Sequence, residues 1–204
     1  MGLLKGQKLI PVGVSARHAH VTQEHLEILF GPGHKLTPLS PLSQPGQFAS
    51  RETVTIRSPR GEIAGVRILG PVRSHTQVEI SLTDSRKLGI VIPVRESGAK
   101  GVGGAKLVGP EGEVELTDSV IAAERHIHMS PENAAEFGVF DGARVSVKTA
   151  SGRSVLFENV LVRVNPNYEL DFHIDTDEAN AAGLRNGDKV MLVNPFDVPG
   201  GRFR

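Results

Sequence analysis

The sequence contains no cysteine. This absence excludes a disulfide framework, a thiolate zinc site and a cysteine nucleophile. Any bound metal must therefore be held by His, Asp or Glu side chains, and any acyl transfer must proceed without an acyl-cysteine.

The chain also lacks an excess of charge of one sign and has few aromatic residues. Lys plus Arg and Asp plus Glu each number 23, and aromatic residues make up 4% of the chain. It therefore has no basic field to attract nucleic acid or an anionic membrane, and few rings on which bases could stack. We expect neither a nucleic acid nor a membrane as a partner.

No apolar run approaches the roughly 20 residues that a transmembrane helix needs. The first residues, M-G-L-L-K-G-Q-K-L-I-P, are too short and too polar for a secretory signal, and Gly6 stands where a myristoylation motif requires Ser or Thr. We therefore expect a cytoplasmic protein. The length of 204 residues suits one large domain or two small ones, each with its own core.

Short β-branched runs alternate with turn signals along the chain. Residues 52–57 and 62–69 flank the turn S-P-R-G, and residues 144–148 and 154–164 flank T-A-S-G-R. Each pair predicts a strand, a tight turn and a second strand. Strands of this length and spacing are typical of β-barrels, so the sequence predicts a mostly β fold.

The helix signals are confined to short segments. The pattern predicts helices over residues 22–30, 130–137 and 177–184. The glycine-rich stretch 97–112 is interpreted as a connection between two structural units. A phosphate-binding loop is the alternative there, but no G-K-[ST] follows and no helix pattern opens.

An internal repeat relates the two halves of the chain. The segment S-A-R-H-A-H-V-T-Q-E-H (15–25) matches A-E-R-H-I-H-M-S-P-E-N (123–133), and both read Arg-His-x-His, an apolar residue, a hydroxyl N-cap, one residue and Glu. Later in each half, residues 78–89 match residues 172–183, which places Glu79 opposite His173. The chain is therefore interpreted as a diverged duplication.

The repeated His-x-His pairs predict metal binding. In extended backbone, residues i and i+2 project from the same face, so two imidazoles can converge on one ion. A third ligand from another strand leaves the fourth position open, which is the pattern of catalytic zinc. The ligand type suits zinc, although Co, Ni, Mn and Fe remain alternatives. The predicted ligand sets are His18, His20 and Glu79 in one half and His126, His128 and His173 in the other.

The histidines also have interpretations other than a two-metal enzyme. A single His-x-His is commonly an ordinary surface or hydrogen-bonded pair, and His25, His34 and His75 have no matched partner pattern, so we treat them as solvated or structural. The alternative for His18 and His20 is the first of the two conserved motifs of cupins, in which Glu24 would be the acidic residue. In a cupin that Glu lies on a strand, whereas residues 22–30 have helical periodicity.

Five motifs together resemble the phosphate propanoyltransferase family, the PduL-type phosphotransacylases. They cover nearly the whole chain, from about residue 10 to residue 193, and their combination is far more specific than a lone His-x-His. The motifs are V-G-V-S-A-R-H-A-H-V-T, L-S-Q-P-G-Q-F-A, G-V-R-I-L-G-P-V-R-S-H-T-Q-V-E-I-S, R-H-I-H-M-S-P and D-F-H-I-D-T-D-E-A-N-A-A-G.

The resemblance implies a reaction and a set of site residues. The reaction is the reversible conversion of a short-chain acyl-CoA, such as propanoyl-CoA or acetyl-CoA, and phosphate into an acyl phosphate and CoA, with a role in propanediol degradation. Two zinc ions per chain are implied, one on each predicted ligand set, the first with its open position toward the CoA sulfur. Arg73 matches the family's phosphate-binding position. The positions matching CoA contacts are Val14, Ser15, Ala16, Arg67, Asn180 and, more weakly, Arg60.

The resemblance also implies the architecture. It predicts two β-barrels related by duplication, with short capping helices. Residues 16–123 would form the central barrel, and residues 7–15 together with 124–194 would form the other.

Many family members carry an N-terminal amphipathic extension that directs them into a bacterial microcompartment. About nine residues precede the core here and they show no helical stripe. We expect either a free cytoplasmic protein or one whose extension has been removed; microcompartment association and a homo-oligomer both remain open.

Two further functions compete with the transferase. One is a zinc-dependent hydrolase of thioesters or phosphoesters on the same scaffold. The other is a non-enzymatic tandem barrel, or a cupin-like metal-binding protein, in which metals only stabilise the fold. Three ligands per ion argue against the structural role, because structural zinc sites usually have four.

Overall fold

A computed structural model describes residues 8–193 of the protein. The chain folds into two compact units. The first, here called the barrel unit, combines Met1–Val14 with Arg125–Arg204, and the second, here called the sheet unit, spans Ser15–Glu124. Residues 7 and 194, the outer limits of one predicted barrel, and most of the N-terminal stretch lie outside the described residues.

The described residues form fifteen strands and four helices. In chain order they are β1 (Leu9–Ser15), β2 (His18–His20), α1 (Gln23–Phe30), β3 (Pro38–Pro41), β4 (Phe48–Ser58), β5 (Gly61–Gly70), β6 (Gln77–Glu79), α2 (Leu82–Leu88), β7 (Val94–Arg95), β8 (Ala105–Val108), β9 (Glu113–Leu116), β10 (Val120–Ala123), β11 (His126–Met129), α3 (Pro131–Phe137), β12 (Arg144–Lys148), β13 (Leu156–Val164), β14 (Asp171–Asp175), α4 (Thr176–Ala182) and β15 (Lys189–Val193).

The barrel unit is a closed barrel of six strands in the order β1-β14-β11-β13-β12-β15. The barrel closes because β1 pairs antiparallel with β15, and the predicted hairpin of β12 and β13 is confirmed. Alternate residues of the strands point inward, as the period of two along a strand requires. They form a core that includes Ile10, Val12, Ile127, Val147, Val160, Val162, Phe172 and Ile174.

The sheet unit contains a nine-stranded sheet, with the path β7-β10-β6-β2-β5-β4-β8-β9 and β3 paired to β4. The predicted hairpin over residues 52–69 is confirmed as the antiparallel pair β4 and β5. The sheet is a half-barrel, so the prediction of a mostly β, barrel-based fold with short helices is confirmed, while only the barrel unit closes fully. Its core includes Val54, Ile56, Ile63, Val66, Ile68, Leu107 and Val120.

The three predicted helices are present, and sequence analysis missed a fourth. Helices α1 and α3 begin after the predicted N-caps Thr22 and Ser130, whose hydroxyls accept the backbone N–H three residues later. The missed helix is α2, which follows Ser81 and ends at Gly89 in the left-handed conformation. Its only apolar residues are Leu82 and Leu88 at its two ends, so periodicity did not reveal it.

The glycine-rich stretch 97–112 is not a connection between units, and that interpretation was wrong. It lies inside the sheet unit and contains β8, which pairs with β4 and β9. At Gly103 a Cβ atom would lie 2.6 Å from the carbonyl oxygen of Leu116. This glycine is needed for close backbone packing, which sequence alone does not distinguish from a flexible linker.

Every helix within residues 8–193 falls short of the length and apolar character needed to cross a membrane.

Candidate metal centres

The three predicted ligands of the sheet unit lie together. Strands β2 and β6 pair antiparallel with His18 directly opposite Glu79, and His20 lies two residues further along β2. Ala19 between the histidines is buried in the core, so both imidazoles lie on the opposite face. One donor atom from each of the three side chains lies within 4.8 Å of the other two. We call these residues, His18, His20 and Glu79, the N-terminal group.

Hydrogen bonds orient both imidazoles of the N-terminal group. The Nδ1 atom of His18 lies 2.9 Å from the carbonyl oxygen of Ala16, and that of His20 lies 3.3 Å from the carbonyl oxygen of Leu69. An Nδ1–H that donates to a carbonyl leaves the Nε2 lone pair for a metal, which is the usual arrangement around histidine ligands. The Nε2 atom of His18 indeed faces the Glu79 carboxylate at 3.5 Å.

The surroundings keep His20 neutral. Burial, the neighbouring His18 and the positive charge of Arg73 lower the pKa of His20 from 6.5 to about 2. A neutral imidazole is the form that binds a metal ion. Because the positive charge of Arg73 contributes to this pKa shift, it acts on the N-terminal group.

The carboxylate of Glu79 has a second partner that sequence analysis missed. The hydroxyl of Ser97 donates to Oε1 of Glu79 at 2.5 Å, while Oε2 faces His18. The Ser97 loop is held by Gln77, which accepts the N–H of Gly98 at 2.8 Å and donates to the carbonyl of Ala99 at 2.7 Å. The missed signal was Gln77, which stands two residues before Glu79 and shares its strand face.

The three predicted ligands of the barrel unit also lie together. Strands β11 and β14 pair antiparallel with His126 directly opposite His173, in the same register as His18 and Glu79. The imidazole centroids are separated by 4.7, 4.7 and 5.1 Å, and the donor atoms lie within 4.8 Å of one another. We call these residues, His126, His128 and His173, the C-terminal group.

The imidazole of His128 is buried without a hydrogen-bond partner among the described residues. This holds for both ring nitrogens, and Tyr168 stacks on the ring with centroids 4.2 Å apart. Burial lowers the pKa of His128 to about 2, with smaller contributions from the neighbouring imidazoles and from Arg163. Buried polar atoms without partners are rare and costly, whereas a metal ion would satisfy one of these nitrogens. The residues therefore fit a metal ion.

A buried carboxylate supports His173. Oδ2 of Asp171 lies 2.9 Å from Nε2 of His173, and the Asp171 side chain is almost fully buried. A Cβ atom on Gly13 would lie 2.7 Å from Oδ2 of Asp171 and 2.8 Å from Cδ2 of His173, so β1 approaches this pair through a glycine. Sequence analysis missed Asp171, although Asp-x-His on a strand places both side chains on one face.

Two of the arginines predicted to bind phosphate or CoA, Arg73 and Arg67, lie near the N-terminal group. Arg73 is half-buried and acts on His20, and Arg67 stands opposite His18 on β5. The Arg67 guanidinium donates to the carbonyls of Ser50 and Arg51, at 2.9 and 3.2 Å. Both arginines are therefore brought to the strand that carries the histidines.

Arg60 is not brought to the N-terminal group. It lies in the exposed turn between β4 and β5, and its side chain packs against Gly89. Arg60 precedes Arg67 by seven positions, which corresponds to roughly 23 Å at about 3.3 Å per residue. The structure thus places this weaker candidate at the far end of the hairpin.

The remaining predicted CoA contacts lie in two places. Ser15 and Ala16 adjoin His18, with the Ser15 hydroxyl 3.4 Å from its Nδ1 atom. In the barrel unit, the N–H of Val14 donates to the Asn186 side chain at 2.6 Å. Asn180 is exposed in the last turn of α4.

The other histidines have separate environments. His25 is hydrogen-bonded to Thr76, His34 stacks on Phe30 and contacts Glu52, and the Nε2 atom of His75 lies 3.9 Å from the Asp118 carboxylate. Neither ligand group, as found within the described residues, includes any of them.

The acidic residue of the cupin alternative lies away from the N-terminal group. Glu24 is exposed on α1 rather than on a strand beside His18 and His20. The arrangement that the cupin motif requires is therefore not formed.

Comparison with known proteins identifies the family. The phosphate propanoyltransferase family profile matches residues 11–185. A phosphate propanoyltransferase of Thermotoga maritima is 52% identical over 193 residues, covering 94% of this chain and 92% of the relative. Proteins of the same name from Lachnoclostridium phytofermentans and Salmonella typhimurium are 52% and 51% identical, covering 90% and 93% of this chain and 87% and 91% of the relatives. The chain therefore belongs to the phosphate propanoyltransferase family of acyltransferases.

Proposed function

We propose that the protein interconverts a short-chain acyl-CoA and phosphate with an acyl phosphate and CoA, and that the N-terminal and C-terminal groups each bind one zinc ion. Propanoyl-CoA and acetyl-CoA are the proposed substrates, and the reaction runs in both directions. The observation that carries the proposal is the pair of ligand groups in identical register, His18 opposite Glu79 and His126 opposite His173.

The chemistry of both groups supports zinc. Imidazole and carboxylate donors suit this ion, and three protein ligands leave a position open for a reacting molecule. A zinc ion held in this way supplies positive charge that stabilises a leaving thiolate or an oxygen that gains negative charge. The ring nitrogens of His128, which are buried and have no hydrogen-bond partner within residues 8–193, support the same assignment. So do the Nδ1 hydrogen bonds of His18 and His20, which leave each Nε2 atom for a metal.

The chain supplies no cysteine, which supports a direct transfer. In the forward reaction a phosphate oxygen attacks the thioester carbonyl carbon, the C–S bond breaks, and CoA leaves as a thiolate. Holding both substrates in one complex makes this step effectively unimolecular. Exclusion of water from the site suppresses the competing hydrolysis.

Arg73 is the proposed phosphate-binding residue. Its guanidinium offers a planar set of donors that matches phosphate oxygens. Its charge contributes, after burial and His18, to the lowered pKa of His20, which supports a position near the N-terminal group. We assign CoA binding to Arg67, Ser15 and Ala16 beside His18 and to Val14 and Asn180 in the barrel unit, with Arg60 as the weakest candidate. Microcompartment association and a homo-oligomer remain predictions.

The test is thiol release from propanoyl-CoA with and without phosphate, combined with measurement of propanoyl phosphate. The proposal predicts that thiol appears only with phosphate and in equal amount to the acyl phosphate. Thiol release that is independent of phosphate would instead support the zinc-dependent hydrolase. If chelation unfolds the protein and no metal-dependent activity is found, the metals only stabilise the fold.

A further inference from the structure

Each half of the chain contains the same ion pair at equivalent positions. Arg17 and Arg125 stand directly before the first histidine of each His-x-His. The Nε atom of Arg17 lies 2.7 Å from Oδ2 of Asp84, and Nη1 of Arg125 lies 2.8 Å from Oε1 of Glu178. Asp84 and Glu178 are each the third residue of the helix that follows the third ligand of their group.

The repeat itself aligns these acids. Matching residues 78–89 with residues 172–183 places Glu79 on His173 and Asp84 on Glu178. The third ligand differs between the halves, yet the ion pair is present in both. Its recurrence at the same place beside two different ligand sets indicates a role common to both groups.

The pair links the two strands that carry the ligands. In the N-terminal half, Arg17 leads into β2 with His18, and Asp84 lies in the first turn of α2, directly after β6 with Glu79. The bond therefore joins the strands a second time, beside the His18–Glu79 register. A slip of one residue would turn the ligands to the other face of the sheet, so an additional link opposes the loss of the group.

The barrel unit repeats this link and adds hydrogen bonds on both sides of the pair. Glu178 also accepts the N–H of Asp175, the N-cap of α4, at 3.3 Å, and Arg125 also donates to the carbonyl of Glu158 at 2.7 and 2.9 Å. Asp84 is buried and Glu178 is half-buried, with 8% and 21% of their side chains exposed. A buried carboxylate left without its arginine is destabilised, so each acid requires its partner.

We propose that Arg17–Asp84 and Arg125–Glu178 are positioning pairs, each of which holds the ligands of its own group in the geometry that binds metal. The inference rests on the proposed binding of zinc by both groups. It predicts a local effect: loss of one pair lowers the zinc affinity of its own group and leaves the affinity of the other group unchanged. An ion pair that only stabilised the fold would not discriminate between the two ions.

The experiment measures zinc affinity in proteins that retain one group. His173→Ala leaves the N-terminal group, and His20→Ala leaves the C-terminal group. In each background, zinc affinity is determined by competition with a chromophoric chelator for Arg17→Gln and Arg125→Gln. We expect Arg17→Gln to lower zinc affinity about 10- to 100-fold only in the His173→Ala background, and Arg125→Gln to do so only in the His20→Ala background. Losses of this size are typical when residues that orient metal ligands are changed.

Asp84→Asn and Glu178→Gln test the same pairs from the acidic side. They matter because Arg125→Gln also removes the bonds to Glu158, and because one variant of a pair can fail to fold. The matched control is Arg57→Gln, which breaks the exposed pair with Glu62 in the sheet unit and is expected to leave zinc affinity unchanged. Thermal unfolding of the metal-free proteins reports their stability separately.

The outcomes separate this inference from the proposed function. Unchanged zinc affinity in all four variants, or an equal loss in both backgrounds that follows metal-free stability, would overturn the positioning role. If neither His173→Ala nor His20→Ala bound zinc, the proposed metal centres themselves would be wrong.

Discussion

The two ligand groups share a scaffold and differ in where the negative charge lies. In the N-terminal group the third side chain is a carboxylate, Glu79, which accepts a hydrogen bond from the neutral hydroxyl of Ser97. In the C-terminal group the third side chain is His173, and a carboxylate, Asp171, lies directly behind it. The two halves thus share the strand register, but their carboxylates stand at different positions, since Glu79 matches His173 and Asp171 matches Gln77.

This difference predicts unequal centres. A zinc ion beside two neutral imidazoles and Glu79 would carry a net charge of about +1, whereas one beside three neutral imidazoles would keep about +2. The low pKa values of His20 and His128, both about 2, support one neutral imidazole in each group. If His173 binds zinc as proposed, the negative charge of Asp171 lies one hydrogen bond away from that ion, which partly offsets the missing carboxylate.

The largest expected effect comes from removing a ligand from either group. His20→Ala and His173→Ala should each remove about one equivalent of metal per chain and lower phosphate-dependent activity about 1000-fold or more, because a metal ion contributes several kcal/mol to such a transition state. Elemental analysis and the thiol-release assay measure both. A variant that lost its metal but kept its activity would show that only the other group is catalytic.

Exchanging the third ligand tests whether the charge difference matters. Glu79→His makes the N-terminal group resemble the other, and His173→Glu is the reciprocal change. We expect both variants to keep two equivalents of metal and to lose about 10- to 100-fold in activity, because the charge of one centre changes by one unit while its ligand count is kept. Unaltered activity in both would mean that the identity of the third ligand is irrelevant.

Arg73→Ala tests the proposed phosphate contact, which is assigned to the N-terminal group. We expect the KM for phosphate to rise about 10- to 100-fold, as the loss of a charge-assisted hydrogen bond predicts, while the metal content stays at two. Arg57→Ala is the control, since Arg57 is exposed on β4 and pairs only weakly with Glu62. An equal loss of metal in Arg73→Ala would assign this residue to the metal centre instead.

The smallest expected effects come from the residues behind the third ligands. Asp171→Asn should lower the zinc affinity of the C-terminal group about 10-fold, because the carboxylate orients and polarises His173. Ser97→Ala should lower the zinc affinity of the N-terminal group only a few-fold, because it removes a single hydrogen bond that a neutral hydroxyl donates to Glu79. Chelator competition ranks the two, and the reverse order would contradict the charge comparison.

Sequence analysis could predict the ligand groups because the duplication repeats a short pattern with period-two geometry. His18 and His126 belong to matching His-x-His pairs, and the later match placed Glu79 opposite His173 before the register was known. The resemblance to the family adds Arg73, whose role in phosphate binding stays a prediction. The hairpins were predictable for a similar reason, since strands and tight turns are local features.

Asp171 could have been found from the Asp-x-His spacing on one strand, whereas Ser97 could not be predicted, because tertiary structure brings it to Glu79. Ser97 reaches Glu79 through a loop that Gln77 holds, and no local pattern connects positions so far apart. Helix α2 was missed because only its end residues, Leu82 and Leu88, are apolar, although its match with α4 could have revealed it. The stretch 97–112 was misinterpreted because glycines serve both flexible linkers and close packing.

The most direct test of the account is anomalous X-ray diffraction of the purified protein at the zinc absorption edge. The account predicts two peaks per chain, one about 2.0–2.1 Å from the imidazole nitrogens of His18 and His20 and near Glu79, and one at the same distance from His126, His128 and His173. A peak at only one group, or zinc bound elsewhere with both groups empty, would contradict the claim that the duplication produced two metal centres.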